Sequence, residues 1–434
     1  MTRHTPTLYL DVTDLIQWVK QNSTVTGIQR VHMNYAQHAV ALGAKCIMFY
    51  GRACEEVALV DDALIHYMSE ILAGRASFDS AKFYGLCPNA RLEPWADHRE
   101  KYPRHRAKYL CHTFASGLRF HASRLLWRRA MPTPDFCPGD VLLNVGRSWI
   151  IGGYVANIQR LKDRYGLSAQ LLLHDVIPVE NERRPGANRR FSQFVIDSFS
   201  TFDRFFTSSD YNRQEIKRYM LEFTGAEKPI EKALFGQDIS AEQAPQALLP
   251  NGVEVSRYLL SVGRIAESKN QIRLLRVWLR IVQEGKDSGI KLVMVGKFRK
   301  KYRDFVNVLA GFKFSSDKVL ILSDASDAQL HALYTHCRFT VFPSLVEGYG
   351  LPAAESISYG KFCLASNAAS IPEAAGIHAD YFDPEDEEQL YTKLLRYLHD
   401  DTALRERETL IRAMPKTSWA QASADLIEKA RQPL

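Results

Sequence analysis

The amino-acid sequence predicts an α/β protein with two Rossmann-like domains, each built on a parallel β-sheet. Three observations support this prediction. A chain of 434 residues is too long for one compact core and favours two or three domains. An apolar fraction of 46% and a charged fraction of 24% exclude a disordered or fibrous protein. Short apolar runs alternate with helical stretches in two separate series, one in each half of the chain.

The first series is expected to form the sheet of the N-terminal domain. Its apolar runs are bounded by charged residues or Gly, as is typical of buried parallel strands. Helical stretches such as Gly27–Leu42 and Asp210–Glu222 accompany them. The predicted strands are Thr7–Val12, Lys45–Tyr50, Asp140–Val145, Ala169–His174 and Asp203–Ser208.

The second series begins near Arg257 and alternates more regularly. Ser268 is the expected N-cap of the helix that follows its first strand. The weakly periodic stretch Phe235–Asn251 is the expected seam, so the predicted domains are 1–236 and 237–415. The predicted strands are Tyr258–Gly263, Lys291–Gly296, Lys318–Leu322, Arg338–Pro343 and Lys361–Ala365.

Several classes of protein are excluded by what the sequence does not contain. Its apolar runs fall short of the roughly 20 residues that a membrane span needs. Met1–Pro6 contains no apolar segment of the signal-peptide type. The seven cysteines are dispersed without a Cys-x-x-Cys pair, a distribution typical of reduced thiols. We therefore expect a soluble, cytoplasmic protein without a disulfide framework or a zinc site.

The net charge of +7 is concentrated in one segment. Between Arg99 and Arg129 there are nine Lys or Arg residues against one acidic residue, Glu100. The segment has the pattern of a basic amphipathic helix, which suits an anionic membrane face. A solvated helical face packed on its own domain is an equally weighted alternative, and nucleic acid is less favoured because no nucleic-acid motif is present. The basic residues proposed to face a membrane or an acceptor are Arg119, Arg124, Arg128 and Arg129.

The residues that follow the strands of the second series are the first candidates for a ligand site. In open α/β sheets, ligands bind at the carboxyl ends of the strands. Gly263 and Arg264 follow the first strand, and Lys269 is expected at the start of the next helix. This arrangement suits a phosphate or diphosphate. Two ordinary surface cations are an equal alternative when these residues are considered alone.

The segment after the fourth strand is the most informative part of the sequence. Gly348 and Gly350 let the backbone approach a ligand closely, and Pro352 suits the first turn of a helix. Glu347 precedes this helix and Glu355 lies within it, so the two carboxylates are expected to bind hydroxyls of one ligand on either side of its phosphates. A helix cap and a solvated Glu are the alternative. We disfavour it because both acids share one unit with two glycines and a proline.

Together with Gly263-Arg264 and Lys269, this segment resembles the donor-binding half of glycosyltransferase family 4. The Glu-x7-Glu spacing and the stretch Gly348-Tyr349-Gly350-Leu351-Pro352 are intact. Close resemblance covers Val253–Pro384, in which Ser323-Asp324 is similar to the loop that borders the nucleotide base. The resemblance implies the GT-B fold, in which two Rossmann-like domains face each other across a cleft. Ser418-Trp419 resembles the start of the helix that returns to the first domain, predicted over 416–434.

The N-terminal half resembles the family more loosely. Thr26–Arg30 is similar to the glycine loop that faces the donor phosphates, but Gln29 replaces its second small residue, so close approach is expected only at Gly27. His174-Asp175 resembles a segment of mannosyl- and rhamnosyltransferases that build bacterial surface polysaccharides. Without the resemblance, such a His is more often structural. Arg183 and Arg184 are candidate acceptor contacts, and Ser209 or Asp210 is expected to be a plain N-cap.

The resemblance implies a retaining, metal-independent enzyme without a cofactor. It would move a hexose, mannose or rhamnose above all, from a GDP-, dTDP- or UDP-linked donor to a lipid-linked saccharide in lipopolysaccharide or capsule synthesis. The sequence contains no Asp-x-Asp cation site that contradicts this expectation. The implied catalytic residues are His174, Arg264, Lys269 and Glu347. The implied donor-binding residues are Gly27, Gly263, Arg264, Lys269, Asp324, Glu347, Gly348, Tyr349, Gly350, Leu351 and Glu355.

Other functions stay open at this point. A GT-B sugar-nucleotide epimerase would share the fold and the donor but need no acceptor. A glycosyltransferase-like module that binds without turnover would keep the fold but lose the cations. This alternative is ranked low because the cations and both glutamates are present here. A dehydrogenase is disfavoured because no Gly-x-Gly-x-x-Gly follows a predicted strand. The expected location is the cytoplasm, with peripheral contact at the inner face of the membrane.

Overall fold

The computed structural model describes residues 5–22, 26–51, 54–91, 131–177, 189–237, 249–298, 302–311 and 315–434. The chain divides into two compact units. The first consists of Met1–Thr207, Arg213–Phe235 and Trp419–Leu434, and the second of Ser208–Asn212 and Gly236–Ser418. Both units are α/β, as the sequence predicts.

The first unit contains a seven-stranded sheet in the order β3-β2-β1-β4-β5-β6-β7. Its strands pair in parallel except β3, which is antiparallel to β2. The strand order reverses direction between β1 and β4, and such a switch point is where α/β sheets bind ligands. The strands are β1 Leu8–Asp11, β2 Lys45–Tyr50, β3 Glu56–Val60, β4 Val141–Asn144, β5 Ser168–Leu172, β6 Arg204–Thr207 and β7 Ile230–Lys232.

Helices cover this sheet, and the last helix of the chain is one of them. Its Trp419 is buried and meets Tyr35 edge-to-face with ring centroids 5.6 Å apart. The predicted return of the C-terminal helix to the first domain is therefore confirmed. Within the described ranges, no helix is both long and apolar enough to cross a membrane. The helices are α1 Thr13–Val19, α2 Gly27–Ala41, α3 Asp62–Leu72, α4 Ser80–Leu86, α5 Tyr154–Tyr165, α6 Arg189–Thr201, α7 Asp210–Thr224 and the C-terminal Trp419–Arg431. The first three residues of α7 are assigned to the second unit.

The second unit contains a six-stranded parallel sheet in the order β10-β9-β8-β11-β12-β13. Its switch point lies between β8 and β11. The strands are β8 Tyr258–Val262, β9 Lys291–Val295, β10 Val319–Leu322, β11 Phe339–Phe342, β12 Cys363–Ser366 and β13 Asp380–Phe382. The helices are α8 Gln271–Gln283, α9 Arg303–Ala310, α10 Ser315–Lys318, α11 Asp327–His336, α12 Leu351–Ser358, α13 Ile371–Ala375, α14 Glu387–His399 and α15 Asp401–Arg412. The C-terminal helix of the first unit, Trp419–Arg431, is α16.

The helix after β8 begins later than the sequence predicts. Ser268 is not its N-cap but lies in the 3-10 turn Glu267–Lys269. Asn270 follows in a left-handed conformation with φ of 54°, which Asn tolerates better than most residues, and α8 starts at Gln271. The Asn270 amide donates to the Pro384 carbonyl at 2.9 Å. Lys269 is therefore held in the tight turn before the helix.

Two glycines bring the ends of β8 and β9 into backbone contact. Gly296 has φ of 153°, and a Cβ atom there would lie 2.1 Å from the Gly263 carbonyl oxygen. The Gly263 N–H donates to the Val295 carbonyl at 2.9 Å. Position 296 therefore accepts only glycine, and the close approach fixes the path of the chain that leaves β8.

Candidate active site

Lys269 and Glu347 form an ion pair at the switch point of the second unit. Lys269 Nζ lies 2.5 Å from Glu347 Oε1, although the residues are 78 positions apart in the sequence. The Ser344 hydroxyl donates to the same carboxylate oxygen at 2.7 Å, and the Ser370 hydroxyl donates to the Glu347 carbonyl at 2.7 Å. Glu347 is 8% exposed. Two residues that the sequence predicts for the same ligand are thus brought together and held.

Arg264 leaves β8 with an exposed side chain. The Gln271 amide donates to the carbonyls of Gly263 and Arg264 at 3.3 and 3.0 Å, which fixes the backbone of this turn. Among the residues that the structure describes, Arg264 forms no ion pair. It therefore presents a guanidinium beside the strand that leads to Lys269.

The glycine loop between β11 and α12 is held by side chains from the start of α7. Gly350, with φ of 101°, immediately precedes α12, and Pro352 lies in its first turn as predicted. The Gly348 carbonyl accepts three side-chain hydrogen bonds within the second unit. Its donors are Ser208 at 3.1 Å, Ser209 at 3.3 Å and the amide of Asn212. These contacts fix the loop that contains Tyr349 and leads to Leu351, both half-buried.

Ser209 also acts as the predicted N-cap of α7, because its hydroxyl accepts from the Asn212 N–H at 3.2 Å. The Glu373 carboxylate accepts from the N–H groups of Asp210 and Tyr211 at 2.7 and 2.8 Å. The first turn of α7 is thus satisfied on several N–H groups.

Glu355 lies in α12 with its carboxylate held by a tyrosine. The Tyr334 hydroxyl donates to Glu355 Oε2 at 2.9 Å, and the two residues are 1% and 8% exposed. The Tyr334 ring stacks on Tyr359 with centroids 4.9 Å apart and planes 7° from parallel. Tyr359 in turn shares a hydrogen bond of 2.9 Å with His331 Nδ1. Asp324, predicted near the nucleotide base, is exposed in the loop after β10.

His174 follows β5 in the first unit and is half-buried. Its Nε2 lies 2.9 Å from the Val145 carbonyl, which can only accept, so Nε2 carries a proton. Burial lowers the pKa of His174 to about 4. The imidazole is therefore neutral near pH 7, and its Nδ1 has the character of a hydrogen-bond acceptor.

Three residues at the switch point of the first unit were missed by the sequence analysis. Asp14, 1% exposed, accepts from the Arg147 N–H at 3.1 Å, and the Arg147 Nε lies 3.5 Å from its other oxygen. His32, fully buried, has Nδ1 3.9 Å from Asp14, while its Nε2 donates to the Asp11 carbonyl at 2.9 Å. Burial opposes ionisation of Asp14, but His32 and Arg147 outweigh it, and the pKa of Asp14 lies below its usual value.

Gln29 connects the glycine loop to this cluster. It is fully buried, and its amide donates to Asp14 Oδ2 at 3.2 Å. Gly27, the first residue of α2, stays exposed. Gln29, which replaces the expected small residue, therefore points into the first unit. Its hydrogen bond ties the start of α2 to Asp14.

Some predicted site residues lie outside the described residues. Among the residues that the structure does describe, no group of three His, Cys, Asp or Glu residues is placed to bind a metal ion. The residues beyond the described ranges are Arg119, Arg124, Arg128, Arg129, Arg183 and Arg184.

The two units have the GT-B fold, and the second unit contains the segment whose residues are similar to those of glycosyltransferases. Residues 250–417 match the family model described as glycosyl transferases group 1, and this range contains Arg264, Lys269, Glu347 and Glu355. The solved structure of HepE from Anabaena, in complex with UDP and glucose, aligns with a TM-score of 0.59 and 13% identity. The alignment covers 98% of this chain and 99% of that chain. The predicted fold class and the resemblance to this class of transferase are confirmed.

Two curated relatives are mannosyltransferases of Escherichia coli. Serotype-specific mannosyltransferase WbdA is 28% identical over 264 residues, 59% of this chain and 32% of its own length. O-antigen chain mannosyltransferase B is 27% identical over 218 residues, 49% of this chain and 56% of its own length. The matched part of the chain thus corresponds to about a third of WbdA and just over half of the second relative.

Proposed function

We propose that this protein transfers mannose or rhamnose from a nucleotide diphosphate sugar to a lipid-linked saccharide during synthesis of a bacterial surface polysaccharide. The Lys269–Glu347 pair carries the proposal, because it places a cation and a carboxylate at the switch point where a diphosphate sugar is expected. The similarity to two mannosyltransferases supports mannose over rhamnose.

Each predicted charged residue of the second-unit site except Asp324 is assigned a role. Lys269, Arg264 and the N-terminus of α12 stabilise the leaving diphosphate in place of a metal ion. Glu347 binds the transferred sugar beside the reacting carbon, and Glu355 binds the ribose hydroxyls. The ion pair with Lys269 and the bond from Ser344 hold Glu347 in place before the donor binds.

The proposed chemistry retains the anomeric configuration. The acceptor hydroxyl attacks the anomeric carbon from the face that the diphosphate leaves. A new carbon–oxygen bond forms, the bond to the phosphate oxygen breaks, and that oxygen takes the hydroxyl proton. No protein base is required. We assign His174 the task of accepting a hydrogen bond from a sugar hydroxyl, since its imidazole is neutral near pH 7.

Transfer assays in the presence of EDTA test this function. GDP-mannose, dTDP-rhamnose and UDP-glucose are each incubated with and without a mannose oligosaccharide, and the products are separated and their anomers assigned by NMR. A transferase gives an acceptor-dependent product with retained configuration. Conversion of the donor without an acceptor indicates an epimerase. A donor-induced rise in the melting temperature without any turnover indicates a binding module.

Contact with an anionic membrane is the part of the proposal that comes from the sequence alone. Each of the four arginines of the basic helix would contribute about 1 kcal/mol of attraction near the surface. Co-sedimentation with phosphatidylglycerol vesicles at low and high salt tests this part, with the four Arg→Gln changes combined as the control. Absence of pelleting by the wild type at low salt would favour the solvated helical face. The four positions are Arg119, Arg124, Arg128 and Arg129.

A further inference from the structure

Arg147 lies at the switch point of the first unit, where β4 ends beside β1. Its N–H donates to Asp14 Oδ2 at 3.1 Å, and the N–H of the preceding Gly146 donates to Asn144 Oδ1 at 3.2 Å. Two successive N–H groups of this turn are thus held, which fixes the position from which the Arg147 side chain leaves the backbone. The carboxyl ends of strands at a switch point are where open α/β sheets bind ligands.

The guanidinium of Arg147 is held by two side chains of α1. Asp14 Oδ1 lies 3.5 Å from Arg147 Nε, and the guanidinium carbon lies 5.0 Å from the centre of the Trp18 ring. Residues four positions apart share a face of a helix, so one face of α1 supplies both contacts. A planar guanidinium held in this way loses little further freedom when it binds a ligand.

Part of the Arg147 side chain stays accessible. Its Nε and the Oδ1 of Asp14 are buried, and neither atom has a hydrogen-bond partner among the described residues. The Arg147 side chain as a whole is 29% exposed, whereas that of Asp14 is 1% exposed. Within the part of the chain that the structure describes, the two Nη groups of Arg147 form no hydrogen bond. A buried carboxylate therefore anchors one side of the guanidinium, and its Nη donors can serve a ligand.

The charge of this cluster favours a neutral ligand. Burial opposes ionisation of Asp14, but His32 and Arg147 hold its pKa below the usual value, so the carboxylate is charged near pH 7. The positive charge of Arg147 is thus already balanced by a buried neighbour. A diphosphate would bring further negative charge close to Asp14, and the two would repel each other. Sugar hydroxyls accept hydrogen bonds from the Nη groups without this repulsion.

His174 leaves the neighbouring strand at the same edge of the sheet. It follows β5, which pairs in parallel with β4. Its Nε2 donates to the carbonyl of Val145, two residues before Arg147. In the proposed function His174 accepts a hydrogen bond from a sugar hydroxyl. Arg147 therefore offers donors at the edge where His174 offers an acceptor, and a sugar hydroxyl can use both kinds of group.

We infer that Arg147 binds hydroxyl groups of the acceptor saccharide, and that Asp14 is a positioning residue that holds the guanidinium for this contact. The inference rests on the proposed function, in which the acceptor is a saccharide. It adds to the acceptor side of the reaction a residue that the sequence analysis did not assign. The contact is made by the Nη groups, while Asp14 and Trp18 keep the guanidinium in place.

Steady-state kinetics separate the acceptor from the donor. GDP-mannose is the donor, replaced by dTDP-rhamnose if only that donor supports transfer, and a mannose trisaccharide is the varied acceptor. Release of the nucleotide without an acceptor measures transfer to water. The proteins are the wild type, Arg147→Ala, Asp14→Asn and the double variant, and thermal denaturation of each reports on folding.

Lys162→Ala is the matched control. Lys162 Nζ also pairs with a carboxylate of the first unit, because it lies 2.6 Å from Asp203 Oδ1. Asp203 immediately precedes β6, so this ion pair lies at the amino edge of the sheet, opposite the switch point. The control removes a partly buried cation from the same unit without touching the proposed acceptor contact.

The expected results concern the acceptor KM. Arg147→Ala should raise it roughly ten- to hundredfold, the usual loss when a charged hydrogen-bond donor is removed. The donor KM and the rate of transfer to water should stay within about twofold of the wild type. Asp14→Asn should raise the acceptor KM by a smaller factor, because the guanidinium remains but is held less firmly. In the Arg147→Ala background, Asp14→Asn should have no further effect on the acceptor KM, and Lys162→Ala should keep the wild-type kinetics.

Failure of the inference is distinguishable from failure of the proposed function. If the wild type transfers no sugar to the trisaccharide, the proposed function fails and the inference fails with it. If transfer occurs and Arg147→Ala leaves the acceptor KM unchanged, or raises only the donor KM, the inference alone fails. Additive effects in the double variant overturn the role of Asp14. Should Arg147→Ala not fold, Arg147→Lys keeps the charge but loses the planar pair of Nη donors, and an unchanged acceptor KM in that variant also overturns the inference.

Discussion

Replacement of Gly146 by Ala should destabilise the first unit through a single contact. A Cβ atom at this position would lie 2.5 Å from His32 Nδ1 and 2.6 Å from its Cε1. The backbone conformation is an ordinary one for alanine, so the clash with His32 is the only cost. Ordinary contact requires the imidazole to move by about 1 Å. The ring has no room to move, because it is fully buried and bound to the Asp11 carbonyl.

The magnitude follows from these two facts. Overpacking of a buried site costs about 1–3 kcal/mol, and loss or weakening of the bond to Asp11 adds about 1 kcal/mol. The free energy of unfolding should therefore fall by about 2–4 kcal/mol. For a unit of this size, the melting temperature should fall by roughly 5–15 °C, which differential scanning calorimetry measures.

Gly85→Ala is the matched control. Gly85 lies in α4, and a Cβ atom there would meet no atom within 4 Å. That change should leave the first unit as stable as the wild type or slightly more stable. In a His32→Ala background, Gly146→Ala should cost less than about 1 kcal/mol, because the obstructing ring is gone. Equal melting temperatures for Gly146→Ala and Gly85→Ala, or an undiminished cost without His32, would refute the reasoning.

Three further predictions concern the candidate site. Lys269→Ala and Arg264→Ala should each lower kcat on the order of 100-fold with EDTA present, since each removes a cation proposed to stabilise the leaving diphosphate; near-wild-type transfer rates would contradict this. Glu355→Ala should mainly raise the donor KM, whereas Glu347→Ala should also lower kcat, and the reversed pattern in steady-state kinetics would exchange their roles. In the folded protein the pKa of His174 is about 4, below its value in the unfolded chain. Its neutral form therefore contributes fully to the free energy of unfolding above about pH 6.5, and roughly 3 kcal/mol of this free energy is lost as the pH falls toward 4. Urea denaturation at pH 7 and pH 4.5 should show that the free energy of unfolding of His174→Gln changes less with pH than that of the wild type. An equal change in the two proteins would contradict the prediction.

The central strands of both sheets are predictable because they are buried on both faces and appear as apolar runs. Three of the four edge strands, β3, β7 and β13, are not, whereas the edge strand β10 corresponds to the predicted Lys318–Leu322. Ile230–Lys232 contains two charged residues among three half-buried positions, and Asp380–Phe382 is equally short, so neither forms an apolar run. Glu56–Val60 runs antiparallel to β2, a pairing that depends on tertiary contact and not on the βα alternation. Ser268 misled the prediction because a left-handed Asn270 starts the helix instead.

The two units differ in how far their polar clusters can be predicted. Lys269 and Glu347 belong to recognisable segments, although their contact is visible only in the fold. Asp14 and Arg147 are isolated polar residues 133 positions apart, and each resembles many surface residues. Only the switch point between β1 and β4 brings them together. The sequence contained one weak signal, an Asp two residues after the end of a predicted buried strand.

The ion pair of Lys269 with Glu347 means that each charge of the proposed donor site has its counter-ion within the protein. A simple anion that took the ammonium alone would separate it from a carboxylate that is only 8% exposed, and a partly buried charge without its counter-ion is costly. A ligand that brings both phosphate oxygens and sugar hydroxyls satisfies both groups at once. The pair therefore makes inorganic phosphate and nucleotides without the sugar weaker competitors of the proposed donor for this site. They compete less well than the positive charge of Lys269 alone would suggest.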